Sequence, residues 1–266
     1  MARLVPSSTV GSSVVRGVAL AAILCLALLL QGERQLRFQA GVPHRVETVN
    51  PKMGMHTRLT DEVEEAKIAR TTQMVREMGA PWMVEYFPWA YLEPAKGRYT
   101  FGHAETVIEH AYDQGLQVIA RLDMVPDWAR PKDSTSRYLE ASHYGDFGDF
   151  VFAFVDHFKT RVHYYIIWNE PNMAAEWGFR NVSPEDYVAL LRVAYARAKE
   201  ADPSAVILAA GLAPTLEESS ATAMNDLLYL QRMYDAGAAA YFDALAIHAY
   251  GGRFPPDDAA APDQRG

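Results

Sequence analysis

The chain has 266 residues, half of them hydrophobic, and 25 Lys and Arg stand against 33 Asp and Glu for a formal net charge of −8. That balance excludes a disordered chain, and it excludes a nucleic-acid binder of the phosphate-tracking kind, which needs a basic surplus to release counterions. The single cysteine, Cys25, sits inside an apolar run, so a disulfide framework and a cysteine zinc cluster are excluded as well.

The N-terminus reads as a targeting segment. Residues 1–16 carry Arg3 and Arg16 and no acid, and Gly17 to Leu30 is unbroken apolar sequence. A basic flank followed by a short apolar core is a secretory signal pattern. The run is short of the roughly 20 residues that span a bilayer comfortably, and no small-residue cleavage site follows at Gln31, Gly32 and Glu33. A cleaved signal and an uncleaved membrane anchor both fit residues 1–31. Residues 32–50 read as a linker and residues 51–266 as the folded domain, expected outside the cytoplasm, secreted or membrane-anchored.

From Lys52 onward two patterns alternate. Apolar or β-branched runs at Lys52–His56, Trp82–Phe87, Leu116–Leu122, His163–Trp168, Ala205–Ala210 and Ala244–His248 predict strands. Between them, three-to-four spacing such as Val63, Ala66, Ile68, Met74, Val75 and Met78 predicts helices. Thr60 is a candidate cap for the first helix. Ser183-Pro184 with Asp186 marks the start of another, and Gly79 and Gly115 mark helix ends. Six such βα units predict a parallel sheet in an α/β fold. No glycine-rich phosphate turn follows the first strand, as an open doubly wound sheet usually requires. Polar and aromatic residues instead collect after successive strand ends: His56 and Arg58, Tyr86 and Trp89, Asp123, Asp127 and Trp128, Asn169 and Glu170, His248 and Tyr250. In a (β/α)8 TIM barrel those ends ring the active site. The predicted fold is such a barrel, incomplete, with about six βα units following an N-terminal hydrophobic helix.

The strongest local signal is Trp168-Asn169-Glu170-Pro171-Asn172, directly after the strand-like Tyr164-Tyr165-Ile166-Ile167. A carboxylic acid at the rim of an apolar barrel loses hydration, which favours the protonated form that a general acid needs against a glycosidic oxygen. Asn169 can hydrogen-bond a sugar hydroxyl, and Pro171 stiffens the turn that aims both. A solvated Glu in an ordinary strand-to-loop turn is the plainer alternative.

This pentapeptide resembles the acid/base strand of the clan A retaining glycoside hydrolases, especially the family-5 and family-39 type that includes cellulases and xylosidases. Phe87 to Tyr99, with Trp89, Glu93-Pro94, Gly97 and Tyr99, resembles the second-strand signature. Ala120-Arg121-Leu122 through Val125-Pro126-Asp127-Trp128-Ala129 resembles the third-strand segment, and Ile247-His248-Ala249-Tyr250 the sixth. The resemblance implies a retaining hydrolysis of β-linked saccharides, with Glu170 as proton donor and then base and Asn169 on a hydroxyl near the cleaved bond. It places His248 and Tyr250 on the nucleophile side. Trp89, Trp128 and Trp177 follow strand ends, where stacking on sugar is expected, and His56 is expected to hydrogen-bond substrate. No metal and no organic cofactor is implied, and the partner is an oligo- or polysaccharide.

Two departures stand out. Val84 occupies the position where relatives often carry an arginine that holds the nucleophile, with Arg58 or Arg121 as substitutes. The nucleophilic Glu of the clan ends the seventh strand, and no Glu here has that setting: Glu85 is on the second strand, Glu93 in its loop, and Glu176, Glu217 and Glu218 read as loop or helix acids. The sequence is therefore expected to be truncated after the sixth strand, a fragment with no nucleophile. A catalytically inactive carbohydrate-binding barrel fragment is the alternative.

Overall fold

A computed structural model describes residues 51–250. The described residues belong to one compact unit. The expected signal or anchor lies outside the described residues. Among those described, no helix is long and apolar enough to cross a membrane.

Six strands form one parallel sheet in sequence order: β1 (Gly54–His56), β2 (Trp82–Pro88), β3 (Gln117–Asp123), β4 (Val162–Ile167), β5 (Val206–Ala209) and β6 (Ala244–Leu245). The crossovers carry α1 (Glu65–Glu77), α2 (Gly102–Asp113), α3 (Tyr144–Phe158), α4 (Pro184–Ala201) and α5 (Asp226–Asp235). All six expected strands are present, the sixth shorter than expected. One cavity is lined by Gly54 of β1, Trp82, Ile119, Tyr164, Leu208 and Ala244 of β6. First and last strands can share a cavity only if the sheet curls, so the described fold is a half-barrel.

Alternation along each strand separates two faces. Met83, Phe87, Val118, Ala120, Leu122, Tyr165, Ile167, Ile207 and Ala209 point to the convex side and are buried. There they meet the stripe Phe147, Phe150, Phe154 and Phe158 of α3, whose three-to-four spacing is an amphipathic helix pattern. Ring centroids of Phe154 lie 5.2 Å from Phe87 and 6.3 Å from Tyr165. The concave face, with Trp82, Val84, Ile119, Tyr164, Ile166 and Leu208, is only half-buried. The main core of the described residues thus lies between sheet and helices.

Local signals hold at most boundaries. Ser183 Oγ accepts from Asp186 N at 3.1 Å, with Pro184 at the first helical position, and Gly79 and Gly115 adopt φ of 80° and 68° past the ends of α1 and α2. Thr60 is the exception. It does not cap α1, which begins at Glu65 after an extended Glu64. Its N–H donates to Glu85 Oε1 at 3.2 Å and its hydroxyl to the carbonyl of Tyr86. Two bonds to β2 outcompete the local cap.

Candidate active site

The site is built at the C-terminal end of β4. The chain leaves the strand through two non-glycine residues in the left-handed region, Trp168 at φ 75° and Glu170 at φ 40°. Such backbone costs about 1–3 kcal/mol per residue and persists only where the surroundings over-determine it. Here they do. Trp168 N donates to Leu122 O at 3.0 Å and Glu170 N to Gly211 O at 3.1 Å. The Trp168 ring is fully buried against Trp177 and Phe147, and its Nε1 donates to Glu176 O at 2.8 Å. Asn172, also buried, donates to Ala213 O and Met224 O and accepts from Ala213 N, stapling the loop after β5 to the turn. The pentapeptide therefore divides its labour: Trp168 and Asn172 anchor inward, Asn169 lines the cleft, and Glu170, partly exposed, pairs with a residue of the cleft wall.

Glu170 Oε1 lies 2.7 Å from His248 Nδ1, with the two side chains 22% and 23% exposed. At that distance the two atoms are in hydrogen-bond contact, and His248 orients the Glu170 carboxyl group. The His248 ring is seated on Gly211, where an added Cβ would fall 2.6 Å from Cδ2 and 2.7 Å from Nε2. Gly211 thus serves twice, accepting from the Glu170 backbone and leaving room for the imidazole. Gly211→Ala is expected to push His248 off Glu170 while costing on the order of 1–2 kcal/mol of stability through overpacking. Ring-proton NMR checks this. In the parent, Glu170→Gln should move the His248 ring-proton resonances; in the Gly211→Ala background that sensitivity should be gone.

Asn169 is held by a closed ring of charged groups that sequence spacing did not reveal. Arg121 Nη1 donates to Asn169 Oδ1 at 3.1 Å, and Asn169 Nδ2 donates to Glu176 Oε2 at 3.1 Å. Arg137 bridges Glu176 and the buried Asp123 at 3.1 and 2.8 Å, and Asp123 returns to Arg121 at 3.3 Å. The two nitrogen contacts to Asp123 are close ion pairs without aligned hydrogen bonds. Both atoms of the Asn169 amide are thereby oriented. Arg137 and Glu176 sit in loops after β3 and β4, and only folding brings them together.

Other expected residues fall into two groups. His56, Asn169, His248 and Tyr250 line one cavity of about 450 Å³, which Arg121 also lines. Tyr250 is 70% exposed, its ring 5.5 Å from that of His248. Partial burial, with the nearby Arg121 charge, holds His56 below the ordinary histidine range. Val84 lies on the concave face between His56 and Ile119, and Arg121 lines the same cavity.

The tryptophans require a correction. Trp89 and Trp177 are fully buried and offer no face to a sugar. Trp89 stacks on Phe150 and meets Trp128 and Phe147 edge-on, and Trp177 packs between Trp168 and Tyr187. Trp128 is partly buried against the same core, its Nε1 donating to Glu93 O at 2.8 Å. Strand-end position is a poor guide for large rings, because burying one is worth more than exposing it. The second-strand signature is likewise a structural knot: buried Glu93 accepts from Trp89 Nε1 at 2.5 Å and from Gly97 N at 2.6 Å. Burial raises the Glu93 carboxyl above its ordinary range against the pull of those two bonds.

The curled parallel sheet, with a carboxylic acid after its fourth strand, defines the class that this chain resembles: the clan A glycoside hydrolases. The sequence model of the family described as beta-galactosidase, glycoside hydrolase family 42, matches residues 59–143, less than half of the chain. No curated protein sequence matches. Among solved structures, a family 39 glycoside hydrolase from the gut symbiont Bacteroides cellulosilyticus WH2 superposes with a TM-score of 0.64 at 21% identity, covering 82% of this chain and 42% of that one. A monomeric beta-xylosidase from Caulobacter crescentus CB15 gives 0.58 at 18% identity, covering 78% and 44%. A family 30 endoxylanase from Clostridium papyrosolvens C71 gives 0.53 at 15%, covering 74% and 49%. The chain spans less than half the length of each of these chains. At such identities the likeness is one of fold.

Proposed function

We propose that this chain is the acid/base half of a retaining glycoside hydrolase acting on β-linked saccharides. The observation that carries the proposal is Glu170, held by a left-handed backbone at the end of β4 and paired with His248, which lines the cleft. Protonated, Glu170 gives its proton to the leaving glycosidic oxygen; ionised, it takes one from the water that ends the cycle. Asn169, its amide fixed on both sides, binds a hydroxyl beside the cleaved bond, and His56 and Tyr250 complete the sugar-facing wall.

Retention needs a second carboxylate about 5–5.5 Å from the first. The described carboxylates near the cleft are otherwise engaged. Glu85 accepts from three donors on the convex side, Glu93 is tied to Trp89 and Gly97, Glu176 to Arg137 and Asn169, and Asp123 is buried. The nucleophile of this proposal stands on a seventh strand outside residues 51–250. Residues 38–266 are accordingly expected to leave aryl β-glycosides and β-glucans intact, whereas protein extended through a seventh strand should release product with retained anomeric configuration, read by proton NMR. Turnover by residues 38–266 that Glu170→Gln abolishes would show that another carboxylate is the nucleophile.

The proposed organisation is a signal or anchor at 1–31, a linker at 32–50 and the hydrolase domain from 51 to 266, working outside the cytoplasm. Its support is the basic flank and the apolar run Gly17–Leu30. Cell fractionation with N-terminal sequencing is expected to find the protein in a membrane or exported fraction, or processed near Gln31 to Arg37. A soluble cytoplasmic protein that keeps Met1 would refute export.

A further inference from the structure

Beside the cleft lies a second cavity, of about 410 Å³, whose wall differs in chemistry from an ordinary neutral-sugar site. Three arginines line it, Arg58, Arg121 and Arg137, together with His56, Tyr86 and Tyr91. Arg121 and His56 line both cavities, so the two are neighbours. A neutral sugar hydroxyl donates as well as accepts, and its subsites normally offer acceptors beside donors. This wall is rich in donors, with three guanidinium groups against one carboxylate. Its one carboxylate, Asp61, is held by Arg58 at 3.0 Å. The acids that balance Arg121 and Arg137 stand behind the wall: Asp123 is fully buried, and neither it nor Glu176 lines the cavity. Arg121 and Arg137 are also partly withdrawn from water, their side chains 16% and 17% exposed, which strengthens their attraction for an anion.

We infer that this arginine-lined cavity is a subsite for an anionic saccharide unit, one carrying a carboxylate or a sulfate ester, next to the bond presented to Glu170. The inference rests on the proposed saccharide cleft and adds its substrate class. An acceptor-only oxyanion satisfies a wall rich in guanidinium donors, and those planar groups meet both oxyanions through paired N–H donors.

Titration calorimetry on the full chain of residues 1–266 tests it, with glucuronic acid, glucose 6-sulfate and glucose as probes. At least one anionic probe is expected to bind about tenfold or more tightly than glucose, and that advantage should shrink as salt is raised from low to physiological ionic strength. The probe preferred, carboxylate or sulfate, identifies the source of the charge. Arg58→Gln, on the exposed rim, should reduce the advantage without disturbing the fold, and Arg137→Gln should abolish it. Because Arg137 is half-buried in an ion-pair ring and its loss can unfold the site, the salt dependence and the rim variant decide on their own. Equal affinity for all three probes, no binding of either anion, or an anion preference untouched by Arg58→Gln and by salt would overturn the inference. The underlying hydrolase reading fails separately, if Glu170→Gln leaves turnover by the extended protein unchanged.

Discussion

Replacing Glu170 by Gln, in protein extended through the proposed seventh strand, is expected to lower turnover of unactivated glycosides by about 10²–10⁴-fold, the usual contribution of a general acid. Gln is nearly isosteric and can keep the backbone bond to Gly211 O and a hydrogen bond to His248, so saccharide binding should persist. What it lacks is a transferable proton. Aryl glycosides with good leaving groups need that proton least, and their glycosylation step should be far less affected. The signature is therefore a loss that grows with leaving-group basicity. A uniform loss across leaving groups would point to misfolding, and wild-type hydrolysis of an unactivated glycoside would remove Glu170 from the role.

Glu85→Ala is expected to destabilise the described fold by about 3 kcal/mol or more, without any part for Glu85 in the chemistry. This fully buried carboxylate accepts from Thr57 Oγ1 at 2.6 Å, Leu59 N at 2.9 Å and Thr60 N at 3.2 Å. It ties the segment after β1 to β2, and that segment carries Arg58 and, beside it, His56 to the cavity wall. Truncation takes the carboxylate from three donors, of which Thr57 Oγ1 can still reach Val84 O at 3.3 Å while the N–H of buried Leu59 loses its acceptor. Glu85→Gln should fall between, because its amide keeps one acceptor but turns an N–H₂ group toward donors. Urea unfolding reads the effect as a lower midpoint at unchanged slope. A loss below about 1 kcal/mol would show that water or repacking replaces the carboxylate.

The order of the strands, the parallel sheet and the placing of Trp168 to Asn172 after β4 were all legible in the sequence. They depend on short-range features: apolar runs of strand length, helical spacing between them, and glycines where α1 and α2 end. Glu170, Asn169, His248, Tyr250 and His56 were legible as strand-end residues for the same reason, since a parallel βα sheet brings all such ends to one rim. Tertiary structure alone decided the rest. It drew Trp89 and Trp177 into the core, because a large ring gains more from aromatic neighbours contributed by α3 and α4 than from the solvent edge. It took Thr60 from the start of α1 and gave it to β2. And it assembled Arg121, Asp123, Arg137, Asn169 and Glu176 into one ring from the ends and loops of β3 and β4. Periodicity reports which side of its own element a residue faces. It carries no information about which charge on another loop will lie 3 Å away, because that distance is set by how the loops cross once the sheet has curled.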